Sequence, residues 1–313
     1  MYEQIASNKR RAVLYVVLFF FVWVGIGALL GLVFSSYASS RGGTATTSGA
    51  AVTGAVVIGL LALLAVAYAL TSGHRLVLAV SGAQPADPQQ YRQLHDVVEA
   101  LAIGDGLPKP DVFVIDDPSP NAFATGTSPK RAAITATTGL LQIMNREELE
   151  GVIGHEMSHI KNYDVRLILI VSTLIGLAGL IASLIWRSAF FMRPRGRDSG
   201  QIMIVVYAAG ALFGLVAIIF GPLIRLALSR RRESLADVSG VDLTRNPQGL
   251  ISALRKLQQN DTPFARFNHA TASMCIDDPL QHHETWYHRL FDTHPPIAQR
   301  IATLEAIAQG RSV

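Results

Sequence analysis

Cysteine is almost missing from this chain of 313 residues: Cys275 stands alone. One thiol cannot close an internal disulfide, and without a second there is no cysteine zinc knuckle and no redox pair. Cys275 reads as a small buried apolar side chain and leaves the redox compartment open. Charge is scarce too. Charged residues make up 16% of the chain, against about 25% in an average soluble domain, while hydrophobic residues reach 50%. The net charge of +4 is small. Basic residues gather beside apolar runs rather than along a stripe with interleaved aromatics, which argues against nucleic acid as a partner. The composition points to a lipid bilayer instead.

Four uncharged apolar runs carry that expectation: Ala12 to Phe34, Ala50 to Leu70, Leu167 to Trp186 and Ile202 to Ile224. As helices, each is long enough to cross a hydrocarbon core of about 30 Å. They are expected to form two transmembrane hairpins, although Gly176, Gly179, Gly210, Gly214 and Gly221 would also allow the second to tuck in without spanning. Lys9, Arg10 and Arg11 precede the first run, which is too long for a signal peptide and lacks a small-residue cleavage site, so it reads as a retained anchor. The basic trio places the amino terminus in the cytoplasm, and two crossings return the chain there near His74 and Arg75. Arg187, Arg193, Arg195 and Arg197, between runs three and four, oppose that layout; Arg225 and Arg230 to Arg232 support it. The resulting division is a first hairpin over 1–72, a first half of a soluble domain over 73–164, a second hairpin over 165–225 and the other half over 226–313.

The soluble halves mix element types. Gln89 to Ile103 has helical periodicity, with Leu94, Val97, Val98 and Leu101 on one side. Gly104 to Pro110 breaks it. Asp111 to Ile115, Asn121 to Gly126 and Ala132 to Thr137 read as short strands. The expected class is therefore α+β, mostly helical.

The chemistry centres on His155-Glu156-Met157-Ser158-His159. Two histidines four apart lie one turn above each other on a helix, so both rings can reach one ion, and the glutamate between them is placed to handle a metal-activated water. Such a pentad can also arise by chance on an ordinary helix, so its surroundings matter. Asn145 stands at a cap position, Glu147 and Glu148 fall in the first turn, and Glu148 can close a capping-box pair. Leu149, Val152, Ile153, Met157 and Ile160 then recur at helical spacing.

A catalytic zinc site takes three protein ligands. A third histidine six residues after His159 is excluded, because that position is Val165. The best candidate is a carboxylate, Glu233, in Arg230-Arg-Arg-Glu-Ser-Leu-Ala-Asp237. Glu233 and Asp237 share a helical face, so one can bind metal while the other accepts the N–H of a ligating histidine. The bland alternative is the solvated face of a juxtamembrane helix. The motif helix ends just before run three and this segment begins just after run four, so a two-pass hairpin brings both to one membrane face. His282-His283-Glu284 with His288 looks like a second motif, but five-residue spacing sits about 140° out of line on a helix, and the segment reads as a loop.

Asn121-Ala-Phe-Ala-Thr-Gly126, Gly139-Leu-Leu141, the pentad with Asn162 and Asp164, Arg232-Glu-Ser-Leu-Ala-Asp237, and Thr293-His-Pro-Pro296 with Arg300 together resemble the bacterial HtpX family of membrane zinc metallopeptidases, over nearly the whole chain. The resemblance implies a zincin-like (gluzincin) catalytic domain related to the CAAX prenyl proteases. It also implies endoproteolysis of membrane proteins in quality control, and an active site facing the cytosol of a bacterial inner membrane. By position, His155, His159 and Glu233 correspond to zinc ligands, Glu156 to the general base and Asp237 to the carboxylate behind a ligand. Asn121, Ala122, Phe123, Ala124, Thr125 and Gly126 correspond to an edge strand that holds peptide by backbone pairing, and His294 to a supporting histidine. Gln259 to Phe291 departs from the family pattern. A prenyl-protein peptidase and a non-catalytic zinc-binding membrane adaptor remain the alternatives; an intact Glu156 argues against the adaptor.

Overall fold

The computed structural model describes residues 2–39, 46–191, 230–260, 275–276 and 296–311, with scattered positions between 203 and 215. Two compact units emerge: Met1–Arg11 with Thr71–Leu169 and Ile224–Val313, and Ala12–Leu70 with Ile170–Leu223.

In the second unit, helices α1 (Tyr2–Ser39) and α2 (Thr47–Val80) carry the first two apolar runs. Both are long and apolar enough to cross a membrane, over Ala6–Val33 and Thr47–Val80. They leave large apolar side chains uncovered, among them Leu14, Phe21, Val52 and Leu64. In water such a surface is a liability; in lipid it is the ordinary outer face. The two helices touch where Gly27 meets Gly54: a methyl on Gly27 would lie 2.4 Å from the Gly54 carbonyl oxygen. Small residues permit that backbone approach. Run three lies on α6 (Asp164–Phe191). Run four, the arginine-rich link before it and the His282 to His288 segment fall largely or wholly outside the described residues.

The first unit pairs a small sheet with helices. Its strands are β1 (Gln84–Pro85), β2 (Asp111–Ile115), β3 (Ala122–Ser128) and β4 (Arg131–Thr137), in the order β1-β2-β4-β3. β2 and β4 are parallel, and the other two pairings are antiparallel. Three of these strands match the sequence expectation; β1, only two residues long, gave no periodicity to read. On one side of β3 lies β4; on its other side Phe123 bridges Cys275, with the Ile276 N–H donating to the Ala122 carbonyl at 2.9 Å.

Helices α3 (Arg92–Asp105), α5 (Arg146–Lys161), α7 (Arg230–Thr244), α8 (Pro247–Gln258) and α9 (Ile297–Ala308) build the rest, and the short α4 (Thr138–Ile143) links β4 to α5. The core joins Leu94, Val97, Val98 and Leu101 of α3 to Leu149, Val152, Ile153, Met157 and Ile160 of α5, the stripes expected from spacing. Leu250, Leu254 and Leu257 of α8 and Ile301 and Leu304 of α9 complete it. Helix α5 is thus buried along nearly its whole length, with its start fixed by a full capping box between Asn145 and Glu148. Glu148 also accepts from Ser252 and Lys256, each at 2.6 Å, which ties that cap to α8.

Candidate metal centre

Helices α5 and α7 meet almost backbone to backbone. A methyl group on Gly240 would stand 2.8 Å from the His155 nitrogen and 3.0 Å from the Gly154 carbonyl carbon. Glu233, Asp237 and Gly240 are spaced i, i+4, i+7, so one stripe of α7 faces the pentad. Glycine at the contact lets that stripe come close enough for carboxylates to reach the imidazoles.

His155, His159 and Glu233 converge, each buried, with one donor atom apiece within 4.8 Å of the others. The two Nε2 atoms are 3.2 Å apart, and Glu233 places Oε2 at 3.6 Å from His155 Nε2 and Oε1 at 3.5 Å from His159 Nε2. Behind the rings stand two more carboxylates. His155 Nδ1 donates to Asp237 Oδ1 at 2.9 Å, and His159 Nδ1 to Asp164 Oδ2 at 3.2 Å. Carboxylates only accept, so each Nδ1 carries a proton, and both Nε2 atoms face the same space as the Glu233 carboxylate, where each offers a lone pair once its own proton is displaced. Buried and mutually repulsive, that donor set suits a cation.

The electrostatics carry the same message. Against desolvation and the Arg300 charge, hydrogen bonds to Asp237 and Glu233 raise the His155 pKa to about 9. His159 is raised as well: burial opposes the charged form, but Glu233 and Asp164 outweigh it. Asp237 is held down at about 2, its burial overcome by Arg300 and His155. Arg300 clamps Asp237 at both oxygens, Nε to Oδ2 at 3.0 Å and Nη2 to Oδ1 at 2.7 Å, and its Nη1 donates to the Ile276 carbonyl at 3.0 Å. Glu156 is buried beside the triad; burial pushes its carboxyl up, and its Oε2 accepts the Ala124 N–H at 2.8 Å.

The sequence-expected residues His155, Glu156, His159, Glu233 and Asp237 thus meet at one point, with Ala122 to Gly126 on the neighbouring strand. His294 lies outside the described residues. Sequence reasoning missed the work of Asp164, Arg300 and Gly240. On a continuous helix Asp164, five after His159, would point about 140° away. Tyr163, at φ 59°, breaks the helix between α5 and α6 and swings the carboxylate back.

Two imidazoles and a carboxylate around one point, with a second buried glutamate alongside, define a metal-dependent hydrolase. Residues 88–308 match the model of peptidase family M48. Over 313 residues the chain is 42% identical to the Protease HtpX homolog of Streptococcus mutans, covering 98% of this chain and 100% of that one. It is also 42% identical to the Protease HtpX homolog of Ligilactobacillus salivarius, covering 97% and 99%. A crystal structure of S. mikatae Ste24p aligns over 97% of this chain and 67% of its own, at 18% identity and a TM-score of 0.47. The chain belongs to peptidase family M48 and is a membrane metalloprotease.

Proposed function

We propose that this protein is a multi-pass zinc endopeptidase of the bacterial inner membrane, with a zincin-like catalytic domain facing the cytoplasm, that cleaves membrane or misfolded polypeptides in quality control. The observation that carries the reading is the spacing of the donor set. Zinc takes nitrogen ligands at about 2.0–2.1 Å in tetrahedral geometry, which puts ligand atoms about 3.3 Å apart; the two Nε2 atoms stand 3.2 Å apart, and the Glu233 carboxylate straddles them, Oε2 at 3.6 Å from His155 and Oε1 at 3.5 Å from His159, with one donor atom apiece within 4.8 Å. His155, His159 and Glu233 would hold the ion, with Asp237 and Asp164 fixing the two rings through their Nδ1 protons.

Zinc bound there supplies the Lewis acidity that makes water nucleophilic near neutral pH. Glu156 takes the proton from the attacking water as the new C–O bond forms at the scissile carbonyl, then delivers it to the amine as the C–N bond breaks. Its raised proton affinity suits a group that must accept and then release. Asn121, Ala122, Phe123, Ala124, Thr125 and Gly126 form the substrate edge, where backbone pairing tolerates varied side chains. A peptide on that edge shares it with Ile276, which already pairs with Ala122. The family resemblance gives His294 a supporting role.

The chain leaves the catalytic unit after Arg11 and returns at Thr71, then leaves after Leu169 and returns at Ile224. Each excursion starts and ends in the same unit, as expected of two hairpins, and Lys9, Arg10 and Arg11 mark that side as cytoplasmic. Full-length protein incubated with detergent-solubilised bacterial membrane proteins tests the function: fragments that vanish with a chelator and return with zinc are expected. Tight zinc binding without fragments would leave a non-catalytic adaptor.

A further inference from the structure

Asn8 is a buried polar residue in a stretch of exposed charge. It lies in the second turn of α1, four residues before the apolar run, and is 3% exposed, whereas Arg10 and Arg11 face out. Its side chain is fully used. Nδ2 donates to Asp164 Oδ1 at 2.7 Å and to the Asn162 carbonyl at 2.9 Å, while Oδ1 accepts from Arg232 Nη1 at 3.4 Å. Both partners of Nδ2 can only accept and the guanidinium can only donate, so the chemistry alone fixes the orientation of the amide.

These contacts reach both halves of the metal centre. Asp164 uses its other oxygen, Oδ2, on His159 Nδ1, and Arg232 directly precedes Glu233 and sits 3.6 Å from Asp164 Oδ1. One amide thus spans segments 156 and 224 residues away in sequence. The contact lies where α5 has broken at Tyr163, so nothing in the regular helix holds the Asp164 carboxylate at the angle His159 needs.

We propose that Asn8 is a positioning residue of the metal centre. By holding Asp164, it keeps the His159 ring and its Nδ1 proton in place so that Nε2 faces the ion. The inner end of the membrane anchor is thereby part of the active site, and a soluble fragment that begins after it has a weakened centre. The inference rests on the ligand set given above. Asparagine suits the position because it has two donors for two acceptors; aspartate would set a second carboxylate against Asp164.

The test uses full-length protein in detergent, stripped of metal, with zinc titrated against a chromophoric chelator and cobalt(II) spectra recorded in parallel. Removing an outer partner of a metal ligand weakens binding about 10- to 100-fold. Asn8 acts one step further out, so Asn8→Ala is expected at about tenfold, with an altered cobalt band. In an Asp164→Ala background the same substitution should add less than about twofold, because its route is gone. A general packing role would instead leave its effect undiminished there. Wild-type affinity and cobalt spectrum in Asn8→Ala, or an equal loss in both backgrounds, overturns the proposal. Should Asn8→Ala fail to fold, Asn8→Ser, which keeps one donor, carries the test: a smaller but measurable loss is expected, and wild-type affinity overturns the idea. His159→Ala serves as the control. If it retains tight zinc binding, the ligand assignment itself fails, whatever Asn8 does.

Discussion

Gly240→Ala asks whether the close approach of α5 and α7 sets the metal site. The added methyl would meet backbone atoms of His155 and Gly154 at 2.8–3.1 Å, and ordinary contact begins at 3.4 Å. Backbone of a buried helix cannot swing aside as a flexible side chain can, so α7 must retreat by about 0.6 Å, the difference between 3.4 and 2.8 Å. Metal ligands tolerate displacements of about 0.2 Å. Glu233, two turns along the same face, is carried by the same shift of about 0.6 Å, three times that allowance. Overpacking of this kind costs about 1–3 kcal/mol of stability, and the displaced carboxylate should weaken zinc binding at least about tenfold. Thermal unfolding of the metal-free protein reads the first, and chelator competition the second. A Gly240→Ala protein that binds zinc as tightly as wild type would refute the argument, because the helices would then have slack that the distances deny.

Arg300→Met removes the guanidinium from a buried pair and leaves the Asp237 carboxylate behind His155 with one clamp fewer; losses of about 3–5 kcal/mol are typical of such a break, to be read in denaturant unfolding. The pH dependence should change with it. In the wild type Asp237 has a depressed pKa, so its contribution is present above its ordinary value of 3.8 and disappears only as pH falls through about 2; in Arg300→Met acid unfolding should begin at higher pH. Metal binding should be coupled to protons in the opposite direction. In the metal-free protein the raised His155 pKa stabilises the fold fully below 6.5 and ceases to do so as pH rises through about 9. A ligand must be neutral, so apparent zinc affinity should climb about tenfold per pH unit for each proton displaced, levelling near pH 9. Competition titrations between pH 6 and 9 check it, and a flat affinity would contradict it.

Local pattern made much of this molecule legible. Asn145, Glu148 and the α5 stripe fix a helix by near-neighbour rules, and the pentad's i, i+4 histidines need nothing else to share a face. Three strands and the α3 stripe follow from alternation and period for the same reason. The order β1-β2-β4-β3 could not be read, because β1 is two residues long and the parallel pairing of β2 with β4 skips a strand. The outer support of the site was hidden for a related reason. Asp164 stands five residues after His159, out of line on a continuous helix, and only the turn at Tyr163 brings it back. Gly240 looks ordinary in a sequence, and only its distance to His155 shows why a side chain cannot stand there. Arg300 and Asn8 act across 63 and 156 residues, and such partnerships are made by packing, not by spacing. Glu233 was within reach because a hairpin had to return the chain near the pentad, a topological argument rather than a local one.

Glu156→Gln tests the central claim most directly. Glutamine keeps the shape and can still accept the Ala124 N–H through its carbonyl oxygen, but it cannot take a proton from water. The variant should bind zinc with near wild-type affinity, keep its cobalt(II) spectrum and lose chelator-sensitive cleavage by about 10²–10⁴-fold. Undiminished cleavage by a zinc-loaded Glu156→Gln protein would contradict the assignment of Glu156 as the base, and with it the proposed protease mechanism.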